Sequence, residues 1–164
     1  MATQGMLTDD MQRLVREQRL GYVATVCPDG TPNLSHKGTL TVWDDDHLVF
    51  ADIRSPDTVA NLRQNPAIEI NVVDIFLRKG YRFKGRGTVL TEGLQFEAIM
   101  QRYRGDVERA DERIRSVVLV EVQQAAPITS PAYDLGRTEA EVRTRWERYY
   151  DSLRGNRPPE AASD

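Results

Sequence analysis

Residues 21–32 decide the fold and read Gly21-Tyr22-Val23-Ala24-Thr25-Val26-Cys27-Pro28-Asp29-Gly30-Thr31-Pro32. The first part of this stretch is rich in β-branched and aromatic side chains, which is typical of a strand. The second part ends the strand, because Asp29 and Gly30 tolerate the left-handed backbone that a tight reversal requires. The stretch therefore predicts a strand followed by a sharp turn.

Two more strands are predicted directly after this turn. Asn33–Trp43 forms the second strand, Asp44–Asp46 forms the next turn, and His47–Asp52 forms the third strand. Short turns of this kind join antiparallel neighbours, so the three strands are predicted to form a meander.

The rest of the chain alternates between strand and helix patterns. Strands are predicted at Ala67–Val73, Tyr81–Thr91 and Ser116–Val122, which makes six in all. Most gaps between strands are too short for the helical crossovers of a parallel sheet. The pattern favours an α+β fold built on an antiparallel barrel with flanking helices. The helices are predicted at Thr8–Gln18, Arg54–Gln64, Leu94–Tyr103, Val107–Arg113 and Thr138–Leu153.

Length and composition restrict the class of protein. A chain of 164 residues fits one domain, which we expect to span residues 1–154, and the Pro/Ala-rich residues 155–164 are expected to be disordered. No apolar run approaches the roughly 18 residues of a membrane span, and the N-terminus lacks an apolar signal core. We therefore expect a cytoplasmic protein with no membrane partner. The net charge of −3 argues against a general nucleic-acid binder, and the single Cys27 excludes an intramolecular disulfide.

The predicted second strand carries a polar face that could hold a planar polar ligand. Alternate residues place polar side chains on one face and apolar ones on the other. The ordinary reason for such alternation is a polar face turned to solvent, and we favour that interpretation here. The polar face comprises Asn33, Ser35, Lys37, Thr39 and Thr41.

The start of the predicted second helix is a candidate anion site. Free backbone N–H groups at a helix N-terminus attract anions, and Arg54, Ser55 and Thr58 add donors. Taken alone, the stretch is better explained as a plain N-cap with a proline in the first turn.

The segment Arg78–Arg86 interleaves cations with aromatic residues, as in a platform for single-stranded nucleic acid. A period of two explains it more simply, with the aromatics inward and the cations on the other face. His36 and His47 lie on different predicted strands without a pattern of neighbouring metal ligands, so a metal site is weakly supported.

Five motifs, in order and at suitable spacing, resemble the pyridoxamine 5′-phosphate oxidase-like family of FMN-binding split barrels. The resemblance covers about Thr8 to Val122. It implies a homodimer with FMN at the subunit interface, and FMN-dependent oxidoreductase activity on a small molecule. The motifs are Gly21–Val26, Asp29–Asn33, Leu48–Asp52, Asn61–Pro66 and Tyr81–Gly85.

The resemblance also implies site residues. The strand after Pro32 and the end of the third strand line the flavin in the family, and the segment before Asn61 holds its phosphate. The family has a lysine there where this chain has Thr58, with Asp57 before it. Either other groups replace that lysine, or the chain binds FMN weakly or prefers a deazaflavin. The implied cofactor-binding residues are Ser35, His36, Lys37, Ala51, Asp52, Arg54, Ser55, Thr58, Arg82 and Lys84.

Three alternatives to an FMN oxidoreductase remain open at this stage. A non-catalytic flavin or haem binder would act as a carrier or sensor, with His36 or His47 as haem ligands. A deazaflavin-dependent reductase is closely related to the leading hypothesis. A nucleic-acid-binding barrel on Arg78–Arg86 ranks last because of the acidic charge balance.

Overall fold

The first predicted hairpin opens a curled antiparallel sheet. In the computed structural model, which describes residues 5–106 and 113–155, β1 (Gly21–Val26) pairs with β2 (Pro32–Lys37). Gly30 lies in the turn between them with φ of +85°, a backbone conformation that favours glycine. The other elements are β3 (Thr41–Val42), β4 (His47–Asp52), β5 (Ala67–Asp74), β6 (Lys79–Leu90), β7 (Ser116–Thr129), α1 (Asp9–Gln18), α2 (Pro56–Gln64), α3 (Leu94–Gly105) and α4 (Glu139–Gly155).

The strands form one sheet in the order β2-β1-β5-β6-β7-β4-β3, and every pair is antiparallel. The predicted α+β split barrel is confirmed, but the described sheet has seven strands rather than six. The predicted strand Asn33–Trp43 is divided, because the chain leaves strand geometry at residues 38–40. The predicted meander is wrong, since β2 and β3 lie at opposite edges of the sheet.

Two apolar layers hold the sheet. One lies on its concave face, where α1 and α2 pack through Leu14, Val15 and Leu62 against strand residues such as Phe50 and Phe83. The other lies on the opposite face of β4 and β7, where α3 covers Val49, Ala51, Val117 and Leu119 with Ile99, Met100 and Tyr103. The strands β4 and β7 are therefore covered on both faces, whereas the outer face of β1 and β2 is not covered by a helix of the described chain.

The helix boundaries follow their capping residues. The Thr8 side chain accepts a hydrogen bond from the Met11 N–H, and Thr138 and Glu141 form the predicted capping box. Most of the predicted helix Val107–Arg113 and the expected disordered tail beyond Gly155 lie outside the described residues. None of the described helices is both long and apolar enough to cross a membrane.

The alternation predicted for Tyr81–Thr91 is confirmed in β6. Phe83 is buried, whereas Arg82 and Lys84 are exposed on the other face. The register of β6 with β7 shifts between Lys84 and Gly85. A Cβ atom at Gly85 would collide with the Glu121 carbonyl group, so glycine is required where the two backbones approach at this bulge.

Candidate active site

The polar face of β2 points into the protein. Asn33 and Ser35 are half-buried and Lys37 is only 4% exposed, whereas Leu34 on the opposite face is 66% exposed. The interpretation of this face as a solvated outer surface is therefore wrong. The inversion has a physical cause, since α2 packs over the β1–β2 hairpin and supplies hydrogen-bonding side chains in place of water.

Lys37 is the charged centre of this polar cluster. Its Nζ donates to Ser35 Oγ at 2.8 Å and to Ser55 Oγ at 2.5 Å, and it lies 5.7 Å from the centroid of the Phe50 ring. Burial lowers the pKa of the Lys37 ammonium below its ordinary value, while the Asp52 carboxylate acts in the opposite direction. Among residues 5–106 and 113–155, no carboxylate lies within 4.0 Å of this ammonium. A buried cation held only by hydroxyl groups is an arrangement that an anion would stabilise.

The N-terminus of α2 faces the same point. Ser55 is the N-cap residue, but its side chain makes no capping hydrogen bond, since its hydroxyl group interacts with Lys37. The Ser55 N–H donates to Asp52 Oδ1 at 2.9 Å, which holds the end of β4 against the helix. The first turn of α2 therefore keeps the uncapped N–H groups that favour an anion.

A cavity of about 340 Å³ opens beside this helix start. Its cationic residues are Arg54, as predicted, and Arg115, which was not among the predicted site residues. Both arginines are exposed, and the Arg115 N–H donates to the Asp52 carbonyl group at 3.3 Å. No sequence motif could have identified Arg115, because the β4–β7 pairing brings it here from 61 positions beyond Arg54. The cavity is lined by Asp52, Ile53, Arg54, Ser55, Pro56 and Arg115.

Thr58 occupies the position where the resemblance expects lysine. It is 1% exposed, and its Oγ1 lies 3.1 Å from Ser35 Oγ and 3.4 Å from Asn33 Nδ2. The Lys37 ammonium group and the Thr58 hydroxyl group both contact Ser35 Oγ, so the Ser35 hydroxyl group lies between them. Sequence patterns offered no reason to choose among the cations that could replace the missing lysine, and the tertiary structure brings Lys37 to the helix start.

Thr25, Asn61 and Cys27 also contact this cluster, and none of the three was among the predicted site residues. Thr25 Oγ1 accepts from Asn61 Nδ2 at 3.1 Å and from Asn33 Nδ2 at 3.3 Å. Thr25 and Asn61 are both buried, so these bonds fix α2 against β1. The only sequence signal for Asn61 was its place in the Asn61–Pro66 motif. Cys27 also belongs here, since its Sγ accepts from Asn61 Nδ2 at 3.6 Å.

The other predicted site residues divide between this cluster and the opposite side of the sheet. Ala51 and Asp52 lie at the end of β4, where the Ala51 N–H donates to Thr39 Oγ1 at 2.9 Å. His36, Arg82 and Lys84 lie on the outer face instead, as the strand registers require. Arg82 and Lys84 both pair there with Glu69, at 3.4 and 3.5 Å. One protomer therefore does not bring these three residues to the Lys37 cluster.

The nucleic-acid alternative gains no geometric support, and neither does a metal site built from several side chains. His47 Nδ1 lies 2.7 Å from Asp44 Oδ1, His36 is exposed on the outer face of β2, and the described chain contains no group of three metal-ligating side chains. A haem iron needs only one axial histidine, so this absence does not bear on the haem alternative. Phe83 lies inside the sheet, and the Tyr81 hydroxyl group donates to Asp10 Oδ2 at 2.6 Å. These aromatic rings therefore share no exposed face with Arg82 and Lys84, as a stacking platform for bases requires.

Comparison with known proteins identifies the family. The profile described as pyridoxamine 5′-phosphate oxidase matches residues 7–127, whereas no curated protein matches the chain. The crystal structure of HupZ from Group A Streptococcus is 31% identical, with a TM-score of 0.68 over 76% of this chain and 96% of that one. An FMN-binding protein from Syntrophomonas wolfei is 18% identical (TM-score 0.62; 76% and 87% coverage), and an F420 reductase is 22% identical (0.55; 73% and 98%). These last two similarities show the fold alone.

Proposed function

The chain belongs to the pyridoxamine 5′-phosphate oxidase family, and from that membership together with the site geometry we propose that it is an FMN-dependent oxidoreductase acting on a small molecule. One observation carries the proposal: the buried Lys37 ammonium, bound to two serine hydroxyl groups, lies at the uncapped start of α2. An FMN-binding protein and an F420 reductase share the fold.

The residues at the start of α2 fit the phosphate group of FMN. A phosphate monoester offers three acceptor oxygens and about two negative charges at neutral pH. Lys37, Ser55 and the first-turn N–H groups would bind these oxygens, and the exposed Arg54 and Arg115 would complete the charge balance from the adjacent cavity. Thr58 would supply a hydroxyl group in place of the lysine expected there. This arrangement supports FMN binding by a chain that has Thr58 where the resemblance expects lysine.

The protein's own contribution is binding and orientation. When bound, FMN supplies the hydride or electron transfer itself. Ser35 and Ser55 accept hydrogen bonds from the Lys37 ammonium, and Thr58 contacts the Ser35 hydroxyl group. The Thr25–Asn33–Asn61 hydrogen bonds hold α2 against the hairpin. The hydrophobic side chains beneath, Phe50 among them, keep water from the base of the cluster.

We also propose that the protein is a homodimer with the cofactor at the subunit interface. The outer face of β1 and β2 exposes Tyr22 at 48% and Leu34 at 66%, and the Tyr22–His36 and Ala24–Leu34 pairs place them side by side. An apolar patch of this kind supports a protein interface. His36, Arg82 and Lys84 lie on the same outer face, so in the dimer they would contact a cofactor that is held by the second protomer.

The first test is the visible absorption spectrum of the purified protein, with the released chromophore identified by mass. We expect flavin absorption and released FMN. A released deazaflavin or haem would overturn the FMN assignment, as would a colourless protein that takes up no added FMN.

The second test separates phosphate binding from binding of the flavin ring. Lys37→Met removes the charge at similar side-chain length. We expect it to weaken FMN binding about tenfold or more, because hydrogen bonds to a charged group contribute about 1.5–3 kcal/mol. Riboflavin, which lacks the phosphate, should bind both proteins equally. Lys79→Met is the matched control, because Lys79 pairs with Glu139 at 2.8 Å and is not among the predicted cofactor-binding residues. Equal loss of FMN and riboflavin binding would contradict the assigned role of Lys37.

A further inference from the structure

A second cavity lies apart from the Lys37 cluster, between the C-terminal ends of α1 and α3. Its volume of about 490 Å³ exceeds that of the cavity beside α2. The two cavities share no lining residue, so a ligand in this one does not depend on the proposed flavin function. The cavity is lined by Arg16, Arg19, Thr41, Val49, Ile99, Arg102, Tyr103, Gly105 and Asp106.

The charge of this cavity is not balanced within the described chain. Arg19 lies 3.6 Å from Asp106, whose carboxylate is the one negative charge among the lining residues. This carboxylate offsets the charge of one guanidinium group. Arg16 donates to Gln12 Oε1 at 2.9 Å and Arg102 donates to the Trp43 carbonyl group at 3.1 Å, both of them neutral acceptors. In residues 5–106 and 113–155, neither guanidinium has a carboxylate within 4.0 Å. Two positive charges on separate helices therefore border the same space.

A buried threonine whose hydroxyl group borders the same cavity is an independent observation. Thr41 is only 6% exposed, yet its hydroxyl group makes no hydrogen bond with any described side chain or backbone group. Its strand partner Val49 lies on the same face and also lines the cavity. The Thr41 Oγ1 atom is not among the buried unpartnered atoms of the described chain, so it is accessible from the cavity and available to a ligand.

The remaining lining is apolar. Val49 and Ile99 are each 1% exposed and belong to the core beneath α3. The Tyr103 ring lies beside them, and its hydroxyl group donates to the Thr39 carbonyl group at 3.0 Å. An apolar floor with polar groups at defined points is the usual composition of a small-molecule site.

We propose that this cavity binds a small organic anion with an apolar body, such as a carboxylate, sulfonate or phosphate ester of an aromatic or branched group. Arg16 and Arg102 bind the anionic head, Thr41 donates a hydrogen bond, and the body packs on Val49 and Ile99. Guanidinium groups suit such heads because they present several donors in one plane.

Two fluorescent probes of matched shape test the proposal. The anion 8-anilinonaphthalene-1-sulfonate carries a charged head, and N-phenyl-1-naphthylamine has the same body without it. We expect the wild type to bind the anion at least tenfold more tightly than the neutral probe. Arg16→Gln with Arg102→Gln should remove this preference, and Thr41→Val should weaken binding of the anion about threefold or more. The matched control is Arg63→Gln with Arg104→Gln, which changes the charge equally at exposed positions outside the cavity and should keep the preference.

Tryptophan emission locates the bound probe. The chain has two tryptophans, and Trp43 lies beside the cavity, with its ring centroid 5.5 Å from the Arg102 guanidinium. In Trp146→Phe, the bound anion should quench the remaining Trp43 emission more strongly than it quenches Trp146 in Trp43→Phe. Equal affinity for the two probes in the wild type, undiminished binding of the anion in the Arg16/Arg102 variant, or stronger quenching of Trp146 would each overturn the proposal.

Discussion

The Nζ atom of Lys37 lies 2.5 Å from Oγ of Ser55, the residue that precedes α2. This contact joins the end of β2 to the start of a helix 18 residues further along the chain. Because the hydroxyl group interacts with the ammonium, it does not cap the helix, and the positive end of α2 and the buried cation face the same point. Measurements of FMN affinity against pH, of the free energy of unfolding and of dimerisation test the proposals made for this site and for the sheet around it.

The pH dependence of binding should report the Lys37 charge. Its pKa lies below the ordinary value because the ammonium is buried. As the pH rises through this lowered pKa, Lys37 becomes neutral and the attraction for phosphate is lost. We expect the ratio of FMN affinity to riboflavin affinity to fall as the pH rises toward 10.5. Fluorescence titration measures both affinities. In Lys37→Met the ratio should stay level across the same range, and a parallel fall in that variant would point to another group.

Lys37→Met should make the cofactor-free protein more stable, although it weakens phosphate binding. A buried charge without a carboxylate partner costs free energy, and methionine fills similar space without that cost. We expect the free energy of unfolding to rise by about 1 kcal/mol or more at neutral pH.

The lowered pKa of Lys37 means that the unfolded chain holds the Lys37 proton more tightly than the folded chain does. The stability of the wild type should therefore rise with pH from the lowered pKa toward 10.5, and the advantage of the variant should shrink. Urea denaturation at several pH values gives the free energy of unfolding of both proteins. A Lys37→Met variant that is less stable than the wild type at neutral pH would contradict the expected gain.

Thr25→Val should destabilise the protein by about 1–3 kcal/mol, because it leaves two amide groups without their shared acceptor. Asn33 Nδ2 and Asn61 Nδ2 both donate to Thr25 Oγ1, and the substitution preserves shape. Urea denaturation gives the free energy of unfolding. Thr88→Val on the exposed face of β6 is the matched control and should change it by less than about 0.5 kcal/mol. Equal effects of the two substitutions would show that the amide groups find other partners.

Leu34→Glu should prevent the proposed dimerisation. The substitution places a charge in the exposed apolar patch of β1 and β2, where burial against a second copy would be costly. Light scattering should give twice the 18.7 kDa chain mass for the wild type and a single chain mass for the variant. Leu94→Glu is the control, since Leu94 is 93% exposed at the start of α3, and it should remain dimeric. A wild-type protein that is monomeric at all concentrations would rule out the dimer.

Local patterns predicted much of the fold. The first strand, predicted at residues 22–27 and found at 21–26, the turn at Gly30, the capping box at Thr138 and the alternation of β6 depend on neighbours in the chain, and all four are confirmed. The same patterns predicted the wrong neighbours for β2 and β3. Strand pairing over the whole sheet depends on how the sheet curls, and residues 38–40 gave no strong signal that the strand breaks there.

The site was predicted less completely, for the same kind of reason. Alternation showed that Asn33, Ser35 and Lys37 share a face, and the motifs around Asn61 indicated the family. Period-two spacing cannot tell which face turns inward, because polar side chains can be satisfied either by water or by a packed helix. Only the packing of α2 over the β1–β2 hairpin makes that face internal, brings Lys37 to Ser55 and Thr58, and leaves Leu34 outside.

The sequence by itself determined the class of fold and most helix and strand boundaries, because these follow from periodicity, turn residues and caps, and the resemblance of its motifs indicated the family. Only the tertiary structure decided that a lysine of β2 stands near the place of the missing family lysine, that Arg115 joins Arg54 beside α2, and that Arg16 and Arg102 border one cavity. These groups are far apart in the chain, and their proximity arises from sheet curvature and helix packing, which no local pattern records.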